Sequence, residues 1–283
     1  MTENLKPQAN DKTILILGGT GKTGRRVADR LNALGRAVRI GSRSAEPSFD
    51  WEDPATWAGA LDGIDAVYVT YYPDLAAPGA ADAIRDVADQ AMASGVRQLV
   101  LLSGRGEPEA QRSEEIVQSF PVDWTIVRAS MFSQNFDEHF LLDAVRSGVV
   151  AFPAGATPEP FIDVDDIADV VTAALTEDGH SGQVYEVTGP RLLTFDDAVG
   201  EIAAAAGRDI RYVPITPEEY AAGAEEAGVP AEFATFLGDL FGTIFDGRNV
   251  YLTDGVERAI GRPARDFSDY VRRAAATGVW SAS

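Results

Sequence analysis

The sequence predicts an α/β fold with a doubly wound, mainly parallel sheet and a smaller α+β lobe. In the first half of the 283-residue chain, short apolar runs alternate with segments of helical periodicity. A glycine-rich turn separates the first apolar run from the first helix. Strands joined by helices in this way run parallel, because each right-handed crossover places a helix on one face of the sheet. We expect the strand order 3-2-1-4-5-6.

The elements of this first half follow from local patterns. Residues 13–17 form an apolar, β-branched run, typical of a strand buried on both faces. A helix over 22–34 has apolar residues at helical spacing, and Gly35 ends it. Asp53 and Pro54 begin another helix, since proline suits the first helical position. The other expected elements are strands at 37–40, 48–51, 65–71, 97–103 and 123–128, and a helix at 80–94.

Beyond residue 130 the alternation loosens, which indicates a lobe built partly from excursions out of the sheet. We interpret residues 1–11 as a flexible leader, 12–150 as the sheet domain and 151–283 mainly as the lobe, with some strands and helices returning to the sheet. In this half we expect helices at 132–147, 164–176, 194–206, 217–227, 231–245 and 267–275, and strands at 183–187 and 210–213.

Composition excludes several classes of protein. The chain has no cysteine, which excludes disulfides, thiolate nucleophiles and iron–sulfur clusters. Its two histidines, His139 and His180, are isolated, so we expect no metal. A net charge of −20 opposes binding to nucleic acid or to an anionic membrane. Residues 1–12 lack the apolar stretch of a secretion signal, and no apolar run approaches the roughly 20 residues of a membrane helix. We therefore expect a cytoplasmic protein.

Positive charge is concentrated at the start of this acidic chain. Residues 1–43 hold nine basic and three acidic side chains. This surplus predicts a positive local field that suits an anionic ligand.

Residues 18–24 read Gly-Gly-Thr-Gly-Lys-Thr-Gly, at the junction of the first strand and the first helix. Glycines at this junction let a diphosphate approach the free N–H groups of a helix N-terminus. The phosphate loop of a nucleotide triphosphatase is disfavoured, because it needs a glycine where this chain has Ile16. A glycine turn without a ligand is the remaining alternative. The candidate phosphate-binding residues are Gly18, Thr20, Gly21, Lys22, Thr23 and Gly24.

The end of the second predicted strand favours NADP(H) over NAD(H). An acidic residue there would bind the ribose hydroxyl of NAD, whereas an arginine accommodates a 2′-phosphate. The chain has Ser42 and Arg43 there and no carboxylate before Glu46. Arg43 could instead be a solvated loop arginine. With NADP(H) as its ligand, 12–150 is a Rossmann-type, NADP-binding domain.

These residues and several later motifs resemble the NmrA-like group of atypical short-chain dehydrogenases and reductases. Within it, the chain is most similar to the branch that contains ergot-alkaloid iminium reductases and bacterial relatives. The resemblance runs from about residue 13 to residue 270. Its further landmarks are Ser94-Gly95-Val96-Arg97, Leu101-Leu102-Ser103, Thr125-Ile126-Val127-Arg128, Met131 to Phe136, Phe161 to Ala168 and Thr188 to Phe195.

The resemblance implies a set of cofactor contacts beyond the phosphate turn. Asp50 and Trp51 would flank the adenine, and Met131 to Asn135 would flank the nicotinamide. The residues implied to lie beside the cofactor at the ends of the middle strands are Tyr71, Tyr72 and Ser103. Each has an ordinary alternative, namely core packing for Trp51, Met131 and Phe132, and a helix cap for Asn135. Asp165 and Asp166 are expected at a helix start, where carboxylates satisfy free N–H groups.

The chain departs from typical short-chain dehydrogenases in its chemistry. Those enzymes use Tyr-x-x-x-Lys, but the lysines of this chain are Lys6, Lys12 and Lys22, so the dyad is excluded. Hydride transfer is still possible to an acceptor that needs little acid assistance, such as an iminium or imine, a quinone or an enone. A proton, where needed, would come from Tyr71, Tyr72 or water.

Four residues are candidate catalytic groups: Tyr71, Ser103, Arg105 and Asn135. Arg105 would stabilise an oxyanion, or would be a surface arginine paired with Glu107 or Glu109. The candidate substrate pocket, suited to a small aromatic or polycyclic molecule, consists of Tyr72, Phe132, Asn135, Phe136 and Phe161. Core packing is the alternative for its phenylalanines.

The sequence therefore predicts an NADPH-dependent reductase of a small electrophile. The alternative is a non-catalytic NADP(H)-binding redox sensor that acts through protein partners. A nucleic-acid-binding protein is disfavoured by the acidic charge.

Overall fold

The computed structural model describes residues 12–138 and 140–281, so the predicted leader at 1–11 and His139 lie outside the described residues. The strands are β1 Thr13–Leu17, β2 Ala37–Gly41, β3 Ala66–Val69, β4 Gln98–Gly104, β5 Asp123–Ala129, β6 Val149–Phe152, β7 Gln183–Val187 and β8 Arg211–Pro214. The α-helices are α1 Lys22–Ala33, α2 Trp57–Leu61, α3 Ala80–Ala93, α4 Pro108–Ser119, α5 Leu142–Ser147, α6 Val164–Thr176, α7 Phe195–Ala206, α8 Pro217–Glu226, α9 Ala231–Ile244, α10 Gly255–Ile260 and α11 Phe267–Ala276. Short 3₁₀ turns lie at Pro54–Thr56 and Ser133–Phe136.

Six strands form one parallel sheet in the order β2-β1-β3-β4-β5-β7, which confirms the predicted α/β class. Ile14 of β1 pairs with Val38 on one side and with Ala66 on the other. The chain thus leaves β1 toward β2 and returns to the opposite side at β3. This reversal is the switch point of a doubly wound sheet, and ligands bind outside the carboxyl ends of the strands there.

The predicted strand at 48–51 is wrong. Asp50 makes a single bridge with Asp53, and no ladder forms. Phe49 is buried and its ring stacks on Trp57. The conformation of this segment is therefore decided by burial of its aromatic surface and not by strand pairing with β2. The sixth strand of the sheet is β7, which pairs in parallel with β5.

The lobe has its own small sheet, in which β6 pairs in parallel with β8. The strand β6 was not predicted. The helix expected over 132–147 is interrupted, since a 3₁₀ turn and α5 occupy its two ends. In the part of the chain that the structure describes, no helix combines the length and apolar character needed to span a bilayer.

The core has three parts. One lies on the sheet face with α2, α3 and α4, and a second lies on the opposite face with α1, α6 and α10. The third fills the lobe and is rich in aromatic rings, with the rings of Phe152 and Phe195 stacked 4.6 Å apart. Because residues of the segment after β5 belong to this third part, the lobe packs directly beside the carboxyl edge of the sheet.

Close contact between α1 and the glycine turn fixes where the helix begins. A methyl group on Gly24 would lie 2.3 Å from the carbonyl oxygen of Gly18 and 2.8 Å from Cα of Gly19. Gly18 has φ +67°, a conformation that glycine adopts without strain. Both glycines are therefore required for the first turn of α1 to pack against the end of β1.

We predict that Gly24→Ala destabilises the fold by about 1–3 kcal/mol, because backbone atoms must move to admit the methyl group. The control is Gly200→Ala in α7, where the added methyl group meets no atom within 4 Å. This control should gain about 0.5–1 kcal/mol, as expected for alanine in a helix. Urea unfolding measures both. An equal change in the free energy of unfolding for the two variants would contradict the close contact at Gly24.

Candidate functional site

The carboxyl edge of the sheet collects residues from four separate parts of the chain. The glycine turn follows β1, Thr70 to Tyr72 follow β3, and Ser103 and Gly104 end β4. Residues 130–135 follow β5. Most of the residues proposed from the sequence therefore meet at one edge, since parallel strands all end on the same side.

The glycine turn presents an anion-binding helix end. Gly21 is the N-cap of α1 and provides no capping side chain, and the first helical turn holds no acidic residue. The N–H of Gly21 donates to the carbonyl of Gly18 at 2.8 Å, which tightens the turn. Thr20 is exposed and Thr23 is buried. Uncapped N–H groups and the positive end of the helix dipole suit a diphosphate, and the cradle has no room for added side chains.

Trp51, which the resemblance implies would flank the adenine, belongs to a cluster of aromatic rings. The ring of Trp51 packs edge-on against Phe49 at 5.1 Å and against Tyr71 at 4.9 Å. The indole N–H of Trp57 donates to the carbonyl of Asp50 at 2.6 Å, which anchors this segment. Trp51 is only partly buried, so one side of its ring can meet a ligand.

The end of β2 carries the two residues proposed for the 2′-phosphate. Arg43 is exposed, and Ser42 is partly buried. The hydroxyl oxygens of Ser42 and Ser44 lie 3.4 Å apart. These groups form a polar rim next to this cluster of aromatic rings.

The two tyrosines after β3 lie in different surroundings. Tyr71 packs on Trp51, and burial, followed by the charge of Glu52, raises its pKa. Its ring therefore packs beside Trp51, the residue expected to flank the adenine. Tyr72, by contrast, is 76% exposed, so a substrate could reach its hydroxyl.

Ser103 is held by a carboxylate that the sequence analysis did not single out. Its hydroxyl donates to Glu114 of α4 at 2.6 Å, and Nε of Arg128 donates to the same carboxylate at 2.9 Å. Glu114 is buried. Its position in the helix after Ser103, on the apolar face of α4, was the available signal. The pair orients Ser103 and leaves its oxygen as an acceptor.

The structure corrects both interpretations of Arg105. The residue is buried, and its Nε donates to Glu186 at 2.7 Å. Its other two nitrogens donate to the carbonyls of Asn249 and Tyr251, each at 2.8 Å, and its guanidinium lies over the ring of Tyr251. Arg105 thus ties β7 to the segment before α10. It is neither a surface arginine nor a group free to bind an oxyanion.

Two members of the predicted substrate pocket belong to the core. Phe136 is 0% exposed and Phe161 is 1% exposed. Their rings pack 5.6 Å apart, with Phe195 and Phe267 around them. They have no surface left for a ligand, so the pocket prediction is wrong for both.

A contact between Lys22 and Asn135 connects the phosphate turn to the segment after β5. The ammonium group of Lys22 donates to Oδ1 of Asn135 at 2.7 Å and lies 5.7 Å from the ring centre of Phe132. Asn135 does not cap a helix, and its Nδ2 lies 3.5 Å from the sulfur of Met131. Burial lowers the pKa of Lys22 to about 8.

Two buried acids near this edge were also missed. Glu159 accepts a hydrogen bond from the N–H of Met131 at 3.0 Å, and burial raises its pKa to about 7. Burial, Asp74 and Glu114 raise the pKa of Glu107 well above its usual range. Only the fold brings these acids to the site, because nothing in their local sequence distinguishes them from loop acids.

The basic surplus at the start of the chain serves internal ion pairs. Arg25 and Arg26 of α1 pair with Glu138, and Arg30 pairs with Asp165 and Asp169 of α6. Much of the positive field predicted for the ligand is therefore neutralised. The pairs instead hold α1 against α6 and the 133–138 segment. Asp163 is the N-cap of α6, and Asp165 and Asp166 lie in its first turn, as expected.

Fold and edge together define a Rossmann-type dinucleotide-binding protein. A family model described as NAD(P)H-binding matches residues 18–178. The chain is 33% identical to agroclavine dehydrogenase of Claviceps fusiformis, covering 92% of this chain and 96% of that protein. It is 30% identical to an NAD(P)H azoreductase of Xenophilus azovorans, covering 93% and 98% of the two chains.

Among solved structures, an NADPH-dependent quinone oxidoreductase of Escherichia coli in complex with NADPH has the same fold. Its TM-score is 0.73 at 21% identity, covering 92% of this chain and 99% of that one. The chain belongs to the NAD(P)H-binding family, which confirms the nicotinamide cofactor, and its likeness to agroclavine dehydrogenase confirms the resemblance to the ergot-alkaloid branch. It is an NAD(P)H-dependent oxidoreductase.

Asp137, next to Glu138, provides a test of how deeply the 133–138 segment is buried. Burial raises the pKa of Asp137 to about 6, although the hydroxyl of Tyr270 donates to it at 2.9 Å. A raised pKa means that ionisation of Asp137 costs stability. That cost is absent below the pKa that Asp137 has in the unfolded chain. It is complete above the pKa that Asp137 has in the folded protein.

We predict that Asp137→Asn raises the free energy of unfolding at neutral pH by on the order of 1 kcal/mol, after allowance for solvent screening. The gain should vanish near pH 4, where wild-type Asp137 is protonated. Denaturant unfolding at both pH values measures it, with Asp143→Asn as control because the Asp143 side chain is 97% exposed. A gain independent of pH would refute the assignment.

Proposed function

We propose that this protein is an NADPH-dependent reductase that delivers hydride to a small electrophile, an iminium or imine, a quinone or an enone, without a Tyr-x-x-x-Lys dyad. The observation that carries the proposal is the uncapped, acid-free N-terminus of α1 at the switch point of the sheet. It suits the diphosphate of a nicotinamide dinucleotide. The family membership supports the same cofactor.

The choice of NADPH rests on Ser42 and Arg43. The exposed guanidinium of Arg43 is available for charge-assisted bonds to a 2′-phosphate, and no acid precedes Glu46 to bind a free ribose hydroxyl. Trp51 supplies an aromatic face for the adenine beside this rim.

We predict that Arg43→Ala weakens NADPH binding about 10- to 100-fold, the usual range for loss of a hydrogen bond to a charged group. NADH binding should stay within about threefold, because NADH lacks the phosphate. Titration calorimetry measures both. Arg85→Ala removes the same charge from an exposed position on α3 and serves as control. An equal loss for NADH and NADPH would refute the role of Arg43.

NADPH, when bound, supplies the hydride, and the chain supplies orientation and a partly dry site. Met131, Phe132 and Asn135 line the edge where the nicotinamide is proposed to lie. Tyr72 and Phe132 remain as the accessible aromatic residues of the predicted pocket. The names of two relatives, an agroclavine dehydrogenase and an azoreductase, support a small, aromatic or polycyclic substrate.

The function is tested with purified protein, NADPH and three acceptors: a 1,4-naphthoquinone, an N-methyl-dihydroisoquinolinium salt and an azo dye. We expect NADPH oxidation, followed by its fluorescence, with at least one acceptor. Tight NADPH binding with no turnover of any acceptor would favour the redox-sensor alternative. Absence of binding heat with NADP⁺ and NADPH would refute both functions.

A further inference from the structure

The Lys22 side chain crosses from the phosphate turn to the opposite wall of the site. Its backbone begins α1, yet its ammonium group is hydrogen-bonded to Asn135, 113 residues later in the chain. The ring of Phe132 lies beneath it. Lys22 therefore places a positive charge next to the segment proposed to hold the nicotinamide.

Burial, more than the charges around it, sets the pKa of Lys22. Glu138 and Asp137 favour the charged form, whereas Arg25 and Arg26 oppose it. Both arginines pair with Glu138, so this carboxylate is already shared. Asn135 is neutral and only accepts a hydrogen bond through Oδ1. Burial dominates, and the pKa of Lys22 falls to about 8, so the ammonium group persists at neutral pH but releases its proton readily.

We propose that Lys22, held by Asn135, supplies the positive charge and the proton when a neutral acceptor such as a quinone or enone is reduced. The inference rests on the proposed reductase function and deepens it, since it names the proton source. Lys22 would thus donate the proton that the Tyr-x-x-x-Lys dyad donates in typical short-chain dehydrogenases. A preformed iminium needs neither the charge nor the proton.

In the reduction of a quinone, Lys22 gives the proton that accompanies the hydride. Addition of hydride to the acceptor moves an electron pair onto the substrate oxygen that becomes anionic. An N–H bond of Lys22 breaks, an O–H bond forms on that oxygen, and Nζ is left as a neutral amine. Water then returns one proton to the amine. The net reaction uses one hydride and one proton for each hydroquinone formed.

The first test measures Lys22 without turnover. The chain has three lysines, so protein labelled with ¹³C-lysine gives three Cε signals, and Lys22→Gln identifies one of them. We expect this signal to titrate near pH 8 in the absence of cofactor. Asn135→Asp places a negative charge on the partner atom and should raise that midpoint by about one unit or more. A midpoint unaffected by Asn135→Asp would refute the contact.

The second test compares acceptors. With the naphthoquinone, the wild-type single-turnover rate should fall as pH rises above the pKa that Lys22 has in the NADPH complex, and Lys22→Gln should lower the rate about 100-fold and remove that dependence. Lys22→Arg should restore only the part of the rate that comes from the positive charge, with water giving the proton, and this part should stay constant to higher pH because arginine stays charged. With the iminium salt and saturating NADPH, Lys22→Gln should lower the rate at least tenfold less than it does with the quinone, because an iminium needs no proton.

The controls separate the possible failures. Lys12→Gln makes the same change at a lysine outside the site and should behave as wild type. If Lys22→Gln weakens NADPH binding as much as it slows the quinone reaction, Lys22 serves the cofactor and the inference is wrong. Equal losses with quinone and iminium also overturn it. Wild-type protein that reduces neither acceptor would instead overturn the proposed function.

Discussion

The close approach of α1 to the end of β1 is the constraint on which the rest of the structure depends. Because Gly24 has no side chain, the first turn of the helix rests on the backbone of Gly18 and Gly19. This contact aims the uncapped end of the helix at the carboxyl edge of the sheet, beside the switch point between β1 and β3. It also sets the direction in which Lys22 leaves the helix and so places its charge within the edge.

The arginines of α1 extend this constraint to the lobe. Arg30 binds Asp165 and Asp169 of α6, while Arg25 and Arg26 hold Glu138. Partly buried pairs of this kind are less screened by solvent than surface pairs. The segment that carries Asn135 is consequently fixed opposite Lys22. The same arginines that were expected to attract the ligand instead assemble the two walls of the site.

The polar groups at the ends of β4 and β5 show how the edge is organised without a tyrosine–lysine dyad. Glu114 accepts hydrogen bonds from the hydroxyl of Ser103 and the guanidinium of Arg128. Glu186 accepts hydrogen bonds from Arg105 and Arg128. These bonds satisfy charges that would otherwise be buried without partners. The network holds the strand ends rigid, and the proton source that we propose, Lys22, lies on a different element, at the start of α1.

Local sequence was enough to predict the parallel sheet and the glycine turn, because each depends on neighbours in the chain. Alternating apolar runs specify strands, and glycine spacing specifies where a backbone can approach a diphosphate. Whether an aromatic segment pairs as a strand or packs into the core, as at Phe49, depends on what lies across from it. The same holds for Arg105, whose partners Glu186, Asn249 and Tyr251 are far away in the chain. Tertiary structure alone decided that Lys22 meets Asn135, since a hydrogen bond across 113 residues leaves no periodic trace in the sequence.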